Sequence, residues 1–215
     1  MPKDPQGLFN PQRPSKQLLM RHPQTIANIE ARYQGQQNAA LSELGEAQRK
    51  RAVAGLLSWE PDVVVTSPLD RCRSIAEPVA EGLGIELIVD DRLMEMSFGL
   101  LEGLTYDQIT ERGLAFPWDA STGAWPVEGA ETIAQFAARV QSAADDLILH
   151  EGRVASVVHG GVVRGITSYW MQIADEGFWL MAVRNVESAC FSADGFGSIF
   201  LEGFGLHPEW LASFK

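Results

Sequence analysis

The chain has 215 residues, a formal net charge of −11 at pH 7 and 46% hydrophobic residues. An acidic balance argues against nucleic acid as a partner, because binding a phosphate backbone needs a basic face. The hydrophobic share supports a sizeable core. No apolar run is long enough to span a bilayer, and the start of the chain has no apolar stretch like that of a signal peptide, so a cytoplasmic protein without a membrane partner is expected.

Residues 1–16 carry four prolines and little periodicity, which predicts an extended N-terminal arm. Residues 17–21 hold Leu18-Leu19-Met20, an apolar run too short for a helix, and read as a buried strand ending at Arg21-His22. Pro23 to Asn38 is polar, with a turn at Gln34-Gly35, and reads as a loop over the strand end. Ser42 is a good N-cap, with Glu43 and Glu46 in the first turn, where the helix dipole favours negative charge. That helix places apolar residues 44, 47, 53, 56 and 57 on one face and ends near Trp59, before Pro61. A strand at 62–66 follows. Asp70 to Leu83 reads as a helix with Ile75, Val79 and Leu83 at helical spacing, an interior Pro78 able to kink it, and Gly84 as its stop.

Glu86 to Val89 is a short strand, and Thr105 caps a short helix to Arg112. Residues 113–129 are too aromatic for disorder, with Phe116, Trp118 and Trp125, so 105–130 reads as a lid-like insertion. A long helix starts at Gly129-Ala130-Glu131-Thr132 and runs to about His150, with Ile133, Phe136, Ala137, Val140, Ala144 and Leu147 on one side. A strand at 153–158 leads through Gly160-Gly161 into a helix to about Met171, and a further short helix falls within Ala174 to Val183. Ser188–Ala193 and Ser198–Leu201 flank Asp194-Gly195-Phe196-Gly197, a hairpin signal whose edge offers a route to a dimer, so a monomer or a homodimer fits. Neither a repeat nor a linker divides the chain, so 1–215 is expected to be one domain. Alternating strands and helices predict an α/β fold: a three-layer α/β/α sandwich with a mostly parallel central sheet.

Three of these strands end alike. The first runs into Arg21-His22, Val63-Val64-Val65-Thr66 into Ser67-Pro68-Leu69-Asp70-Arg71, and Val154-Ala155-Ser156-Val157-Val158 into His159-Gly160-Gly161. Ligands of open α/β sheets bind beyond the carboxyl ends of the strands. Two Arg and two His at three such ends make one cationic pocket suited to a phosphate. In an acidic chain, such clustering is selective placement. The two cysteines, Cys72 and Cys190, form neither a metal-ligand spacing nor a disulfide framework and read as plain thiols.

Taken together these segments resemble the histidine phosphatase superfamily, whose best-known branch is the phosphoglycerate mutases. That family opens with Arg-His-Gly, then Glu or Gln, then Thr or Ser; here the residues are Arg21-His22-Pro23-Gln24-Thr25, with Asn28 at the position of a phosphate-binding Asn. Tyr33-Gln34-Gly35 is similar to a segment that touches substrate, Thr66 to Arg71 to the one with a second phosphate-binding Arg, Leu93 to Gly103 to the one with the general acid, and Val158 to Gly161 to the one with a second catalytic His. The motifs occur in family order over about residues 17–170.

The resemblance implies the family's fold and a metal-independent phosphatase for a small phosphate monoester, with no cofactor. His22 would be the nucleophile and form a phosphohistidine; Arg21, Arg71, His159 and Asn28 would surround the transferring group, with Gln34, Gly35 and the Gly160 N–H among the binding groups. Glu95 would protonate the leaving oxygen and then deprotonate water. Glu102 is its rival but follows the Phe98-Gly99 that the acid should precede. Arg73, Glu131, Arg164, His150 and His207 read as peripheral. Two alternatives stay open: a phosphoglycerate-type mutase, disfavoured because 105–130 offers only Arg112 as a cation, and a non-catalytic phospholigand-binding protein, because Pro23 replaces the motif Gly.

Overall fold

The computed structural model describes residues 14–114, 127–194 and 198–215. Most of the arm, the aromatic centre of the lid-like insertion and the tip of the closing hairpin lie outside the described residues. In chain order the elements are β1 (Ser15–Arg21), α1 (Ile26–Ile29), α2 (Glu43–Trp59), β2 (Val63–Thr66), α3 (Asp70–Leu83), β3 (Glu86–Val89), α4 (Tyr106–Glu111), α5 (Ile133–Leu147), β4 (Gly152–Val158), α6 (Gly160–Met171), α7 (Asp175–Phe178), β5 (Ser188–Ala193) and β6 (Ile199–Leu206). Short 3₁₀ turns cover Asp91–Leu93, Gly99–Leu101 and Pro208–Phe214.

The strands form one sheet in the order β3-β2-β4-β1-β5-β6, with β1 to β4 mutually parallel and β5 and β6 antiparallel to their neighbours. Side chains of a strand alternate between faces, so each face has its own core. Leu19, Val63, Val65, Val154 and Val158 pack on Phe136, Val140 and Ala144 of α5 and on Val162, Val163 and Ile166 of α6. Leu18, Met20, Val64, Ala155 and Val157 pack on Ala52, Leu56 and Trp59 of α2, on Cys72, Ile75 and Val79 of α3, and on Leu211. This is the expected three-layer α/β/α architecture.

Several boundaries differ from the sequence reading. β1 starts at Ser15, which shortens the arm, because Ser15 is buried between Gly152 and Ala193. The loop after His22 contains α1, capped by Thr25 and Asn28 in a reciprocal capping box. α3 runs continuously through Pro78. Leu44 and Ile133, assigned to buried faces, are exposed. The helix within Ala174 to Val183 is confined to α7, because the chain beyond it turns its carbonyls to other partners: Met181 accepts from Arg164 and Val183 from Arg21.

A candidate phosphoryl-transfer site at the ends of three strands

The sheet register builds the site. Arg21 pairs with Val158 and Thr66 with Val157. One step further, the His22 N–H donates to the Val158 carbonyl at 2.9 Å and the Ser67 N–H to the Val157 carbonyl at 3.2 Å. His22 and His159 therefore leave adjacent strands side by side, with ring centroids 5.2 Å apart and planes inclined at 57°. Both imidazoles are buried.

Each ring is held by one face of its environment. The Nδ1 of His22 lies 2.7 Å from the Pro23 carbonyl, so it is the protonated nitrogen and Nε2 keeps its lone pair. At His159 the roles are reversed. Arg71 Nε donates to Nδ1 at 3.2 Å, and a guanidinium only donates, so the ring proton sits on Nε2 and points at Ser67 Oγ, 2.8 Å away. Burial, and then the charges of Arg71 and Arg21, hold the pKa of His22 well below its ordinary value. Burial and Arg71 do the same to His159.

Arg71, in the first turn of α3, directs Nη1 to the Gln37 carbonyl at 2.8 Å and Nη2 to the Gly35 carbonyl at 2.7 Å. Gly35 thus serves through its carbonyl. It has φ +53°, and a Cβ there would meet the Glu102 carboxylate. The amide of Gln34 is engaged with its own loop, accepting from Thr25 Oγ1 at 2.8 Å and donating to the Gln37 carbonyl at 3.2 Å. Asn28 Oδ1 accepts from the Thr25 N–H at 3.1 Å.

Arg21 sends Nη1 to the Val183 carbonyl at 2.6 Å, while its Nε is buried without a hydrogen-bond partner. Gly160 opens α6 so close by that a Cβ on it would lie 3.5 Å from Arg21 Nε. Burial lowers the pKa of Arg21, an effect partly offset by the charge of Glu95. Burial also lowers that of Arg71.

Glu95 follows the 3₁₀ turn at Asp91–Leu93. Its Oε1 accepts from the Met96 N–H at 3.0 Å and its Oε2 from the Gly161 N–H at 3.2 Å, so the carboxylate rests on the first turn of α6. Gly161 makes room for it: a Cβ there would collide with Glu95 Oε1. Glu102 is tied elsewhere, accepting from the N–H groups of Gln36 and Phe98 at 3.0 and 3.1 Å.

The structure thus brings Arg21, His22, Arg71, Glu95, His159 and Gly160 into one cluster, with Asn28 beside the loop that follows His22. Arg73 pairs on the surface with Glu77, and His207 packs on Trp210. Two further residues belong to the site. Ser67 orients His159. Asn185 donates Nδ2 to the His22 carbonyl at 3.0 Å and lies 3.4 Å from Asn28 Oδ1. Its segment wraps β1: Glu187 accepts from the Arg21 N–H and Val186, at φ 59°, donates to the Arg21 carbonyl. Ser67 was visible as the turn before Arg71; nothing in the spacing of the sequence points to Asn185. Among the described residues, no three His, Cys, Asp or Glu side chains group as a metal site would, and no helix is long and apolar enough to cross a membrane.

Residues 17–201 match the histidine phosphatase superfamily (branch 1). The glucosyl-3-phosphoglycerate phosphatase of Mycobacterium tuberculosis (strain ATCC 25618 / H37Rv) is 31% identical over 175 residues, covering 75% of this chain and 77% of that protein. A solved structure of the mycobacterial glucosyl-3-phosphoglycerate phosphatase in complex with VO3 superposes with a TM-score of 0.72 at 27% identity, over 89% of this chain and 98% of that one. The phosphoglycerate mutase of Bacillus anthracis (strain Sterne) shares the fold, with a TM-score of 0.74 at 21% identity over 93% and 96% of the two chains. The chain belongs to the histidine phosphatase superfamily, branch 1.

Proposed function

We propose that the chain hydrolyses a small phosphate monoester through a phosphohistidine on His22, without a metal. One observation carries this reading: two buried histidines 5.2 Å apart lie beside the buried Arg71, which donates Nε to His159, and the buried Arg21 Nε has no hydrogen-bond partner from the protein. A phosphoryl oxygen fits that donor. Phosphoryl transfer depends mainly on positioning and on charge stabilisation at the equatorial oxygens; Arg21 and Arg71 supply the charge, and His159 holds Arg71 Nε in place.

The chemistry runs in two steps. The Nε2 lone pair of neutral His22 attacks phosphorus, and the bond from phosphorus to the leaving oxygen breaks as protonated Glu95 gives that oxygen its proton. The phosphohistidine imidazolium keeps its Nδ1–H on Pro23. Glu95, now a carboxylate, then takes a proton from water as the water oxygen attacks phosphorus and the N–P bond breaks. Phosphate leaves, and His22 and Glu95 return to their starting states. Pro23 suits this scheme, because what His22 needs from position 23 is a carbonyl. A relative whose structure was solved in complex with VO3, a phosphate-like oxyanion, supports an oxyanion as the ligand.

The test is hydrolysis of p-nitrophenyl phosphate in the presence of chelator, combined with pulse-labelling by a ³²P-labelled ester. Turnover and an acid-labile label in the native chain, both lost in His22→Ala, are the expected result. Turnover that survives in His22→Ala overturns the phosphohistidine. Label that passes to a second site on the substrate rather than to water identifies a mutase.

A further inference from the structure

The loop that carries Glu95 is gripped by one guanidinium. Arg139 on α5 directs Nη1 to the carbonyls of Arg92 at 2.7 Å and Met94 at 2.6 Å, and Nη2 to the Glu95 carbonyl at 2.9 Å. Its remaining donors go to Glu131: Nη2 to Oε2 at 2.7 Å and Nε to Oε1 at 2.6 Å. A guanidinium has five N–H donors, and all five are used. Glu131 continues the grip, its Oε2 accepting from the Ser97 N–H at 2.8 Å and its own N–H donating to the Ser97 carbonyl at 2.9 Å. Residues 92 to 97 are thus fastened at both ends and in the middle.

Three carbonyls converging on one point repel each other, and the chain does not hold that shape unaided. A cation with a planar fork can satisfy them together; an ammonium, which is a point charge on a flexible stem, cannot span the same set. The guanidinium also lies 4.9 Å from the Phe136 ring centroid, and Phe136 itself borders Gly161. The Glu95 carbonyl accepts from Arg139 on α5 and also from Gln36 Nε2 at 3.1 Å, and its carboxylate accepts from the N–H groups of Met96 and of Gly161 on α6.

We propose that Arg139, held by Glu131, is a positioning residue for Glu95 that sets where the acid's carboxyl group stands relative to the leaving oxygen. This rests on the reading of Glu95 as the general acid. The plainer role is an ion pair that merely fastens α5 to a loop. The two roles differ in one respect. Loss of a correctly placed acid hurts esters whose leaving oxygen needs a proton and spares those whose leaving group departs as an anion. Loss of a structural fastening hurts all esters alike.

The experiment compares kcat/KM for p-nitrophenyl phosphate, phenyl phosphate and glycerol 2-phosphate in the native chain, Glu95→Gln, Arg139→Gln, Arg139→Lys and Glu131→Gln. Glu95→Gln should lose most on glycerol 2-phosphate and least on p-nitrophenyl phosphate. Arg139→Gln should show the same gradient, losing about ten- to hundred-fold on glycerol 2-phosphate, the scale of an ångström's misplacement. Arg139→Lys and Glu131→Gln should show it more weakly, and they carry the comparison if Arg139→Gln does not fold by circular dichroism. A graded Glu95→Gln with even losses in the Arg139 and Glu131 variants overturns this inference and leaves the acid in place. An ungraded Glu95→Gln removes the acid assignment itself.

Discussion

His22 and Pro23 are joined by a hydrogen bond across a single peptide unit: the imidazole Nδ1 lies 2.7 Å from the carbonyl of the very next residue. The His22 imidazole is oriented by its own backbone. The identity of the side chain at position 23 enters only through the conformations it permits, and proline restricts them to φ near −65°.

Replacing Pro23 by Gly should therefore leave kcat/KM close to native and cost stability. Glycine frees the unfolded chain, and such a change is worth ~0.4–1 kcal/mol. Urea unfolding and initial rates on p-nitrophenyl phosphate check the two halves. A large gain in rate would show instead that proline had detuned the site.

Ser67→Ala removes the acceptor for the His159 Nε2–H, which is buried and 2.8 Å from Ser67 Oγ. An unsatisfied buried donor costs ~1–3 kcal/mol. Unfolding midpoints should fall accordingly, and kcat/KM by about ten-fold, the value of roughly 1.4 kcal/mol in the transition state. Unchanged stability would mean that the ring proton resides elsewhere.

Gly161→Ala places a methyl group where Glu95 Oε1 stands. The carboxylate must move, and a shift of about 1 Å can cost a hundred-fold in rate. The loss should exceed that in Gly84→Ala, where the added atom meets nothing. Steady-state kinetics on one ester compare the pair.

Stability should fall as the pH drops below 6.5. His22 and His159 titrate well under that ordinary value in the folded chain, through burial and the adjacent Arg71. As pH falls through 6.5 the unfolded chain binds a proton at each, and the folded chain does not. The unfolded state then holds more protons, so stability declines towards the lower folded pKa by ~1.4 kcal/mol per pH unit for each histidine. Urea midpoints between pH 7.5 and 5.5 measure the slope. His159→Asn and His22→Asn should each flatten it, and a native slope of zero would contradict the burial of neutral rings.

Both thiols should be inert in the native state. Burial pushes Cys72 and Cys190 up to about 12, and the thiolate is the reactive form. A thiol reagent at pH 8 should titrate neither cysteine in buffer and both in urea. Fast reaction of native Cys72 would show that the start of α3 opens.

Where packing follows residue type, the sequence was readable. α3, β3 and α6 have the boundaries read from Gly84 as a stop, from a short apolar run and from the Gly160-Gly161 start. The strand-end residues were readable because an apolar run that stops at Arg-His or Ser-Pro has few other meanings. α2 shows where this fails. Its buried face is Gly45, Ala52, Gly55, Leu56 and Trp59, two of them glycines over which Gln24 and Pro208 pass at close range. Hydrophobicity does not mark a contact made by the absence of a side chain, and so by hydrophobicity alone Leu44 reads as inward. Asn185 and Arg139 were illegible for a related reason. Each acts on carbonyls of a distant segment, and a carbonyl leaves no trace in the sequence.

The strand order has a consequence for synthesis. β1 and β2, which carry Arg21, His22 and the turn to Arg71, are not neighbours; β4 inserts between them. A nascent chain ending before Gly152 contains His22 and both arginines but lacks β4, the strand that sets them in register. Such long-range pairing forms late and slowly, so no fragment that ends before β4 should transfer phosphate.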